Sequence, residues 1–300
     1  MIDRYGREVR GLRVSLTQRC NLDCVYCHHE GEVRSGSEMA PDEVLRIVEV
    51  AKSLGIRRVK YTGGEPLLRT DLPEIIRGTI AMDLEDVAIT TNGTLLNYSI
   101  GSLVAAGLRR INVSLPSIRP CIYASITKGQ PQAVFDGIRA AKGLGVDVKI
   151  NVVIMRGINE DEVDDLLTFA TSVGGTLQLI ELEDLNLDPT FFNERHKDLS
   201  QIEHDLAERA DSVAERDGMN SRRRYIFGRL SVEVVRPTGN PHFCRKCTRL
   251  RITSDGKLKP CLMKSDNLID LLGPMRRGCS DDDLKSLFLK ASELRAPYYR

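Results

Sequence analysis

Residues 12–27 read LRVSLTQRCNLDCVYC, a short strand pattern at Leu12–Leu16 that leads directly into three closely spaced cysteines. Strand patterns then alternate with amphipathic helical patterns about six times as far as residue 183, with connections too long for hairpins. This alternation predicts parallel strands joined by right-handed crossovers. A doubly wound sheet usually has a glycine-rich turn after its first strand, whereas cysteines stand there in this chain. The sequence therefore favours an α/β fold, an incomplete (βα)6 TIM-like barrel.

The elements of this barrel can be placed by their apolar periodicity and by their flanking glycines and prolines. The predicted strands are Leu12–Leu16, Arg57–Thr62, Asp86–Thr90, Arg110–Leu115, Val146–Met155 and Thr176–Leu182. The predicted helices are Pro41–Leu54, Asp71–Ala81, Leu95–Ala106, Gln130–Leu144 and Asn159–Ser172. We expect the barrel to span residues 1–183.

The alternation ends at residue 183, and a C-terminal α+β extension is predicted over residues 184–300. Its expected elements are an irregular connection at Pro189–Arg195, a helix at Ser200–Ala214, a hairpin at Tyr225–Val235, a second hairpin at Arg251–Leu258 and a closing helix at Asp281–Leu294. The second hairpin has Asp255-Gly256 at its turn, a dipeptide that favours tight hairpins.

The charge balance limits the classes of partner. The 300 residues include 43 Lys and Arg against 42 Asp and Glu, a formal net charge of +1. No overall basic field is available to hold nucleic acid or a membrane surface, so an anion must be bound by a few basic groups that converge. No apolar run approaches the ~18 residues of a membrane span, and the polar start is unlike a signal peptide. We expect a cytoplasmic protein without a nucleic-acid or membrane partner.

Six of the eight cysteines form two triplets, which in a cytoplasmic chain predict metal ligation and not disulfides. The triplets are Cys20, Cys24 and Cys27, and Cys244, Cys247 and Cys261. Three thiolates can hold a [4Fe–4S] cube and leave one iron open for a ligand. Zinc is the alternative, mainly for the second triplet, where His242 or Cys279 could supply a fourth ligand.

The first triplet, with Tyr26 before its last cysteine, resembles the signature of the radical S-adenosylmethionine enzymes. The segment Thr62-Gly63-Gly64-Glu65-Pro66 is similar to that superfamily's Gly-Gly-Glu motif. The segment from Cys244 to Arg251, together with Cys261, resembles the GTP 3′,8-cyclase family of molybdenum cofactor biosynthesis. Similarity to that family extends over nearly the whole chain.

The resemblance implies a partial (βα)6 barrel, two [4Fe–4S] clusters and S-adenosylmethionine. It implies conversion of GTP to (8S)-3′,8-cyclo-7,8-dihydroguanosine 5′-triphosphate, with the radical chemistry carried by the cofactors. The residues it implies for S-adenosylmethionine are Tyr26, Gly64 and Ser114. Those it implies for GTP are Arg13, Lys60, Thr90, Lys149, Arg249, Leu250 and Arg251. The implied partners are a ferredoxin- or flavodoxin-like electron donor and a downstream enzyme that forms cyclic pyranopterin. The resemblance leaves a homodimer open.

Three physical arguments accompany these assignments. Arg249 and Arg251 share one side of a strand, and their guanidinium groups suit phosphate oxygens. Lys149 stands in a strand expected to be buried on both faces, where an ammonium group needs an anion. Glycines at 63 and 64 would let a ligand approach the backbone. The run Arg222–Arg224, in contrast, is predicted to be an exposed loop or the start of a hairpin.

Two other functions remain possible on the sequence alone. One is a peptide- or protein-modifying radical enzyme with an auxiliary cluster, and the other is a non-catalytic iron–sulfur or zinc scaffold. The Arg249 and Arg251 pair argues against the first, and the Gly63-Gly64-Glu65 motif against the second. No role is assigned to Glu183, Cys121, Cys279, His28 or His29.

Overall fold

The computed structural model describes residues 1–32, 36, 38–215 and 222–299. Its strands are β1 (Gly11–Ser15), β2 (Arg58–Thr62), β3 (Asp86–Thr91), β4 (Arg110–Ser114), β5 (Asp147–Ile154), β6 (Thr176–Glu181), β7 (Ser212–Glu215), β8 (Arg223–Phe227), β9 (Leu230–Val235), β10 (Arg249–Ile252), β11 (Lys257–Lys259) and β12 (Ile269–Asp270). Its helices are α1 (Pro41–Ser53), α2 (Leu72–Ile80), α3 (Leu96–Ala105), α4 (Pro120–Thr127), α5 (Gln132–Gly143), α6 (Val163–Ser172), α7 (Pro189–Arg195), α8 (Ser200–Arg209), α9 (Pro241–Arg245), α10 (Leu272–Arg276) and α11 (Asp281–Glu293).

Strands β1 to β6 lie side by side in chain order, and each is parallel to the next. All six predicted strands are confirmed to within one residue at each end. Their side chains alternate between an apolar core and a cavity, because successive residues of a strand point to opposite faces. In β2, Tyr61 is fully buried in the core, whereas Lys60 and Thr62 line the cavity. The strands are therefore not apolar on both faces.

Two helices between these strands differ from the prediction. Helix α4 was not predicted, because it has only eight residues; Pro120 begins it, and Lys128 in the left-handed region (φ 63°) ends it. Helix α6 begins at Val163 and not at Asn159. The Asn159 amide group instead donates to the carbonyls of Pro116 and Val153 at 2.7 and 2.8 Å, which holds that residue in the preceding loop.

In the extension, both hairpins and the closing helix are confirmed, as β8–β9, β10–β11 and α11. The predicted irregular connection is wrong: it is helix α7, whose first amides donate to the Asp188 carboxylate. The helix predicted to reach Ala214 is also wrong beyond Arg209. Residues 212–215 form β7, which pairs antiparallel with β8. The stretch 216–221 lies outside the described residues.

The extension's strands join both edges of the parallel strands, so the sheet of the described residues has the order β12-β11-β10-β1-β2-β3-β4-β5-β6-β9-β8-β7. Strand β10 is parallel to β1, with Arg251 opposite Arg13. Strand β9 is parallel to β6. This pairing brings the segment with the second cysteine triplet beside the strand that precedes the first one. No helix in the described part of the chain is long and apolar enough to cross a membrane.

Candidate functional site

A cavity of about 550 Å³ lies against the parallel strands and between the two cysteine segments. All six triplet cysteines line it. So do most of the other residues that the sequence predicted for the site: Tyr26, Gly64, Ser114, Arg13, Lys60, Thr90, Arg249 and Arg251. Two predicted residues, Lys149 and Leu250, do not line it. The strand ends and the loops after them therefore converge on one chamber, as active-site groups do in barrel-like folds.

The first triplet lies on the segment after β1, which contacts two neighbouring loops. The amides of Asp23 and Val25 donate to the carbonyls of Thr127 and Ile126 at 3.1 and 2.9 Å, which ties the segment to the end of α4. Burial raises the pKa of the Cys24 thiol to about 12, and the negative charges of Cys27 and Cys20 add to the effect. The three thiols all line the cavity from this one segment.

Gly63 and Gly64 pack against the backbone that leads into the first triplet. The Gly64 amide donates to the Thr17 carbonyl at 2.7 Å, and the Glu65 amide donates to the Arg19 carbonyl at 2.8 Å. A Cβ atom on Gly64 would lie 2.2 Å from the Arg19 carbonyl oxygen, and one on Gly63 would lie 2.3 Å from that of Thr17. Both glycines line the cavity. Contact between two chain segments therefore requires their small size, and the ligand approach that the sequence suggested stays a prediction.

Glu65 lies behind these glycines and does not line the cavity. Its carboxylate, fully buried, accepts from the Thr91 hydroxyl at 2.7 Å and from the amides of Asn92 and Leu67 at 2.7 and 3.0 Å. Burial raises its pKa to about 7. Asn92 in turn donates to the Cys20 sulfur at 3.8 Å. Glu65 therefore links the loops after β2 and β3 beside the first triplet.

The second triplet comes from α9, the residue pair before β10, and the residues after β11. Burial alone would raise the pKa of the Cys247 thiol, but the guanidinium groups of Arg249, Arg295 and Arg251 lower it to about 7. Burial raises the pKa of Cys261. The surroundings of Cys247 thus favour a thiolate, the form that binds metals.

The donor set of each triplet suits an iron–sulfur cluster: three free thiols on a short segment or a hairpin, facing a shared cavity. Across the part of the chain that the structure describes, no three His, Cys, Asp or Glu side chains are arranged to hold a metal ion, so the fit rests on the chemistry of the donors and their shared cavity and not on the present positions of the thiols.

Positive charge is concentrated at the cavity. Among the described residues, ten arginines and lysines line it against five aspartates and glutamates, although the whole chain carries a net charge of only +1. Lys60 lies among these cations. Burial lowers its pKa well below the usual value, and the charges of Arg13, Arg110, Lys149 and Arg222 lower it further. The Nε atoms of Arg13 and Arg110 are buried donors without a hydrogen-bond partner. The chamber is therefore suited to an anion with several charges.

Glu30 is a site residue that the sequence analysis missed. Its carboxylate accepts from the Arg251 guanidinium at 3.0 Å and from the Thr62 hydroxyl at 3.0 Å, and lies 3.6 Å from that of Arg13. Burial would raise its pKa, but Arg13 and Arg251 lower it to about 2. Two predicted phosphate-binding arginines thus share an internal counter-ion. The only signal in the sequence was its place three residues after Cys27, because its partners lie on other strands.

Lys149 has an internal anion of its own. Its ammonium group lies 2.8 Å from the carboxylate of Glu233, which is 1% exposed in β9. The sequence argument that a lysine here needs an anion is sound, but this partner belongs to the chain. Leu250 is fully buried in the hydrophobic core, so its side chain cannot contact a ligand in the cavity.

Arg222 corrects another expectation. It was predicted to be exposed, but it is 7% exposed and lines the cavity. Its guanidinium group donates to Gln178 at 3.0 Å and lies 6.0 Å from the centre of the Phe243 ring. The same ring lies 5.9 Å from the guanidinium carbon of Arg249. The Phe243 ring therefore lies close to two guanidinium groups that line the cavity, those of Arg222 and Arg249.

Comparison with known proteins gives matches over the whole chain. A family model for the Radical SAM superfamily matches residues 14–170, and one for Molybdenum Cofactor Synthesis C matches residues 175–300. A protein of Methanocella arvoryzae named probable GTP 3′,8-cyclase is 45% identical over 303 residues, which cover 100% of this chain and 95% of that protein. A protein of Pyrococcus abyssi with the same name is 45% identical, covering 100% of this chain and 99% of that protein.

Solved structures give a more distant match. The crystal structure of Streptococcus suis SuiB bound to the precursor peptide SuiA superposes with a TM-score of 0.67. It is 16% identical in sequence and covers 93% of this chain and 67% of that one. At this identity the match shows the fold alone: a mixed α/β arrangement around a parallel sheet.

Proposed function

We propose that this chain, which belongs to the GTP 3′,8-cyclase family of the radical S-adenosylmethionine superfamily, converts GTP to (8S)-3′,8-cyclo-7,8-dihydroguanosine 5′-triphosphate in molybdenum cofactor biosynthesis. The observation that carries the proposal is the single cavity in which two cysteine triplets face a concentration of arginines and lysines. Thiols without cations would suit an electron carrier. Cations without thiols would suit a nucleotide-binding protein that performs no radical chemistry.

Membership of the superfamily implies a [4Fe–4S] cluster and S-adenosylmethionine. We assign Cys20, Cys24 and Cys27 to that cluster, and Tyr26, Gly64 and Ser114 to S-adenosylmethionine. When bound, these cofactors supply the radical that takes a hydrogen atom from the substrate. We assign Cys244, Cys247 and Cys261 to a second [4Fe–4S] cluster that faces the guanine base. Strands β1 to β6 with their helices form, in this proposal, the incomplete (βα)6 barrel.

The chain's own contribution is to bind and orient the triphosphate. Arg13, Lys60, Thr90, Arg249 and Arg251 are the residues that we assign to it. A bound triphosphate would favour the charged form of Lys60 and so oppose the lowering of its pKa by burial and by the neighbouring cations. Lys149 does not line the cavity, and its positive charge lowers the pKa of Lys60. Leu250 can contribute only its backbone.

The proposed reaction requires an electron donor and an enzyme that uses the product. Reductive cleavage of S-adenosylmethionine consumes an electron, so we propose a ferredoxin- or flavodoxin-like donor. The product passes to an enzyme that forms cyclic pyranopterin. A peptide-modifying radical enzyme is the alternative function, and the cationic character of the cavity disfavours it.

Anaerobic reconstitution of three cysteine variants tests the proposal. The wild-type chain should bind about eight irons. Cys24→Ala should abolish cleavage of S-adenosylmethionine, because two thiolates cannot retain the first cluster. Cys247→Ala should keep about four irons and still cleave S-adenosylmethionine, but yield no cyclised product. Cys121→Ala is the matched control, since Cys121 is exposed on α4 outside both triplets.

Two results would contradict these assignments. Cleavage of S-adenosylmethionine at the wild-type rate by Cys24→Ala would remove the first triplet from its role. About four irons with one zinc in the wild-type chain would show that the second triplet is a zinc site.

A further inference from the structure

Asp3 is a buried carboxylate outside the cavity lining, and it accepts four hydrogen bonds. Its side chain is fully buried. One oxygen accepts from the backbone amides of Tyr5 and Arg7 at 2.9 and 3.0 Å. The other accepts from the guanidinium groups of Arg7 and Arg295 at 2.8 and 2.9 Å. The carboxylate therefore fixes two arginines that are 288 residues apart in the chain.

Each of these arginines also donates to the backbone of a cysteine in the second triplet. Arg7 Nη1 lies 2.9 Å from the carbonyl oxygen of Cys244, and Arg295 Nη2 lies 2.6 Å from that of Cys247. We call Asp3, Arg7 and Arg295 the arginine clasp. Its two outward donors thus bind the first and last residues of the segment Cys244–Cys247.

The two arginines add side-chain donors to a short element. Cys244 lies in the last turn of α9, a helix of only five residues, and its carbonyl also accepts from the backbone amide of Cys247 at 3.2 Å. A short helix contributes little stability of its own. External donors from two buried arginines that share one carboxylate would therefore help to hold this segment in one conformation.

Burying the charged groups of the clasp has a desolvation cost. A buried ion pair contributes little net stability, because desolvation offsets the attraction between the charges. Here two guanidinium groups share one carboxylate, so the clasp keeps an excess positive charge, and both arginines line the cavity beside the thiols. That excess suits a segment that must hold thiolates.

We propose that the arginine clasp consists of positioning residues that fix the Cys244–Cys247 segment in advance, so that its two thiols can take up the second iron–sulfur cluster. This inference rests on the second cluster of the proposed function. It predicts that weakening the clasp loosens the segment in the metal-free protein and lowers the occupancy of the second cluster, while the first cluster is retained.

The test uses the full chain with Asp3→Asn and Arg295→Met, and Arg295→Lys as the conservative variant. In the metal-free protein, amide hydrogen exchange at residues 244–248 should become at least about tenfold faster in the first two variants. After anaerobic reconstitution, iron should fall from about eight per chain towards four. The electron paramagnetic resonance signal of the second cluster should weaken while that of the first persists. Arg295→Lys keeps the positive charge but lacks the planar fork that contacts both Asp3 and the Cys247 carbonyl, so it should give intermediate values.

Arg46→Met is the matched control. Arg46 also donates to a cysteine carbonyl, that of Cys279 at 2.6 Å, and pairs with an aspartate, Asp281. It donates to a cysteine outside both triplets and is more exposed than the clasp, so exchange at residues 244–248 and iron content should match the wild type.

The outcomes separate this inference from the proposed function. If the wild-type chain binds eight irons and the clasp variants do too, with unchanged exchange at residues 244–248, the clasp has no positioning role. If the wild-type chain binds only four, the second cluster itself is wrong and this inference falls with it. Loss of both clusters in Asp3→Asn and Arg295→Lys alike would show a general folding role and would also overturn the inference.

Discussion

Glu30 gives the cavity a resident negative charge where the substrate's phosphates are proposed to bind. It neutralises part of the charge on Arg13 and Arg251 while no ligand is present. Two desolvated guanidinium groups without it would face each other with no counter-ion, which is costly in a buried site. The same carboxylate must compete with an incoming phosphate for these arginines. Glu30 therefore stabilises the fold at some expense of anion affinity.

Glu30→Gln should lower the free energy of unfolding at pH 7 by about 3 kcal/mol, the value of a pKa lowered from 4.5 to about 2. Because the folded pKa is the lower one, this stability is present above pH 4.5 and is lost as the pH falls towards 2. The difference between wild type and variant should therefore shrink below pH 4.5 in urea titrations. Tripolyphosphate should stabilise the variant more than the wild type, since it replaces the missing charge.

Glu32→Gln is the control for this prediction. Glu32 lies on the same segment, but it accepts from Ser254 and Gln18 and its pKa is raised by burial. Its substitution should not increase the effect of tripolyphosphate. An equal effect of tripolyphosphate on the wild type and Glu30→Gln would show that Glu30 does not occupy the anion site.

Among individual residues, the sequence predicted those that belong to a short motif and missed the residues that pair with them. Spacing alone is enough to recognise the cysteine triplets and the pair Arg249 and Arg251, which share one face of a strand. The counter-ions Glu30 and Glu233 cannot be recognised in this way, because Arg251 is 221 residues from Glu30, and Lys149 is 84 residues from Glu233. These pairs form because β9 and β10 join the two edges of the parallel strands, and the positions of these two strands in the sheet were not predicted from the sequence.

The loops after β1 and β2 form one unit through Gly63 and Gly64. Two backbone hydrogen bonds join them, and no room for a side chain remains between them. The opposing atoms belong to the backbone of Thr17 and Arg19, which cannot rotate away as a flexible side chain would. The position of the first cysteine triplet thus depends on residues of the neighbouring loop.

Gly64→Ala should destabilise the protein by about 3 kcal/mol, because a methyl group would lie 2.2 Å from the Arg19 carbonyl oxygen and the two loops would have to separate. Gly101→Ala is the matched control. Gly101 lies within α3, where a Cβ atom would have no neighbour within 4 Å, so alanine should stabilise by about 0.5–1 kcal/mol. Urea titrations followed by circular dichroism measure both changes. A neutral effect of Gly64→Ala would show that the loops are not in close contact.

The helices and strands that could be predicted are those with a regular apolar pattern over enough residues to be recognised. The six parallel strands and the longer helices α1 and α11 carry a clear apolar pattern. Short elements do not: α4 and α7 are stabilised by an initial proline and a single cap, and β7 exists only because β8 lies beside it. Pairing of this kind is a tertiary interaction, and residues 212–215 alone gave no sign of it.

The parts of the chain before and after the predicted boundary at residue 183 are joined by strand pairing. Strand β10 extends the sheet beyond β1, and β9 extends it beyond β6, so both edges of the first part are covered by the second. One hydrophobic core also contains residues from both parts, among them Val14, Leu250 and Phe288. The family boundary between residues 170 and 175 therefore separates two sequence families but not two hydrophobic cores.

We therefore expect the metal-free chain to unfold in a single cooperative transition, with coincident urea curves from circular dichroism and tyrosine fluorescence. Leu250→Ala, in the fully buried centre of β10, should shift that one transition by about 2–5 kcal/mol without splitting it. Leu289→Ala is the control, since Leu289 is 47% exposed on α11 and its loss should change stability by less than about 0.5 kcal/mol. A chain ending at residue 183 would expose the edges of β1 and β6 and should aggregate. Two separate transitions in the intact chain, with Leu250→Ala affecting only one, would show instead that the parts fold independently.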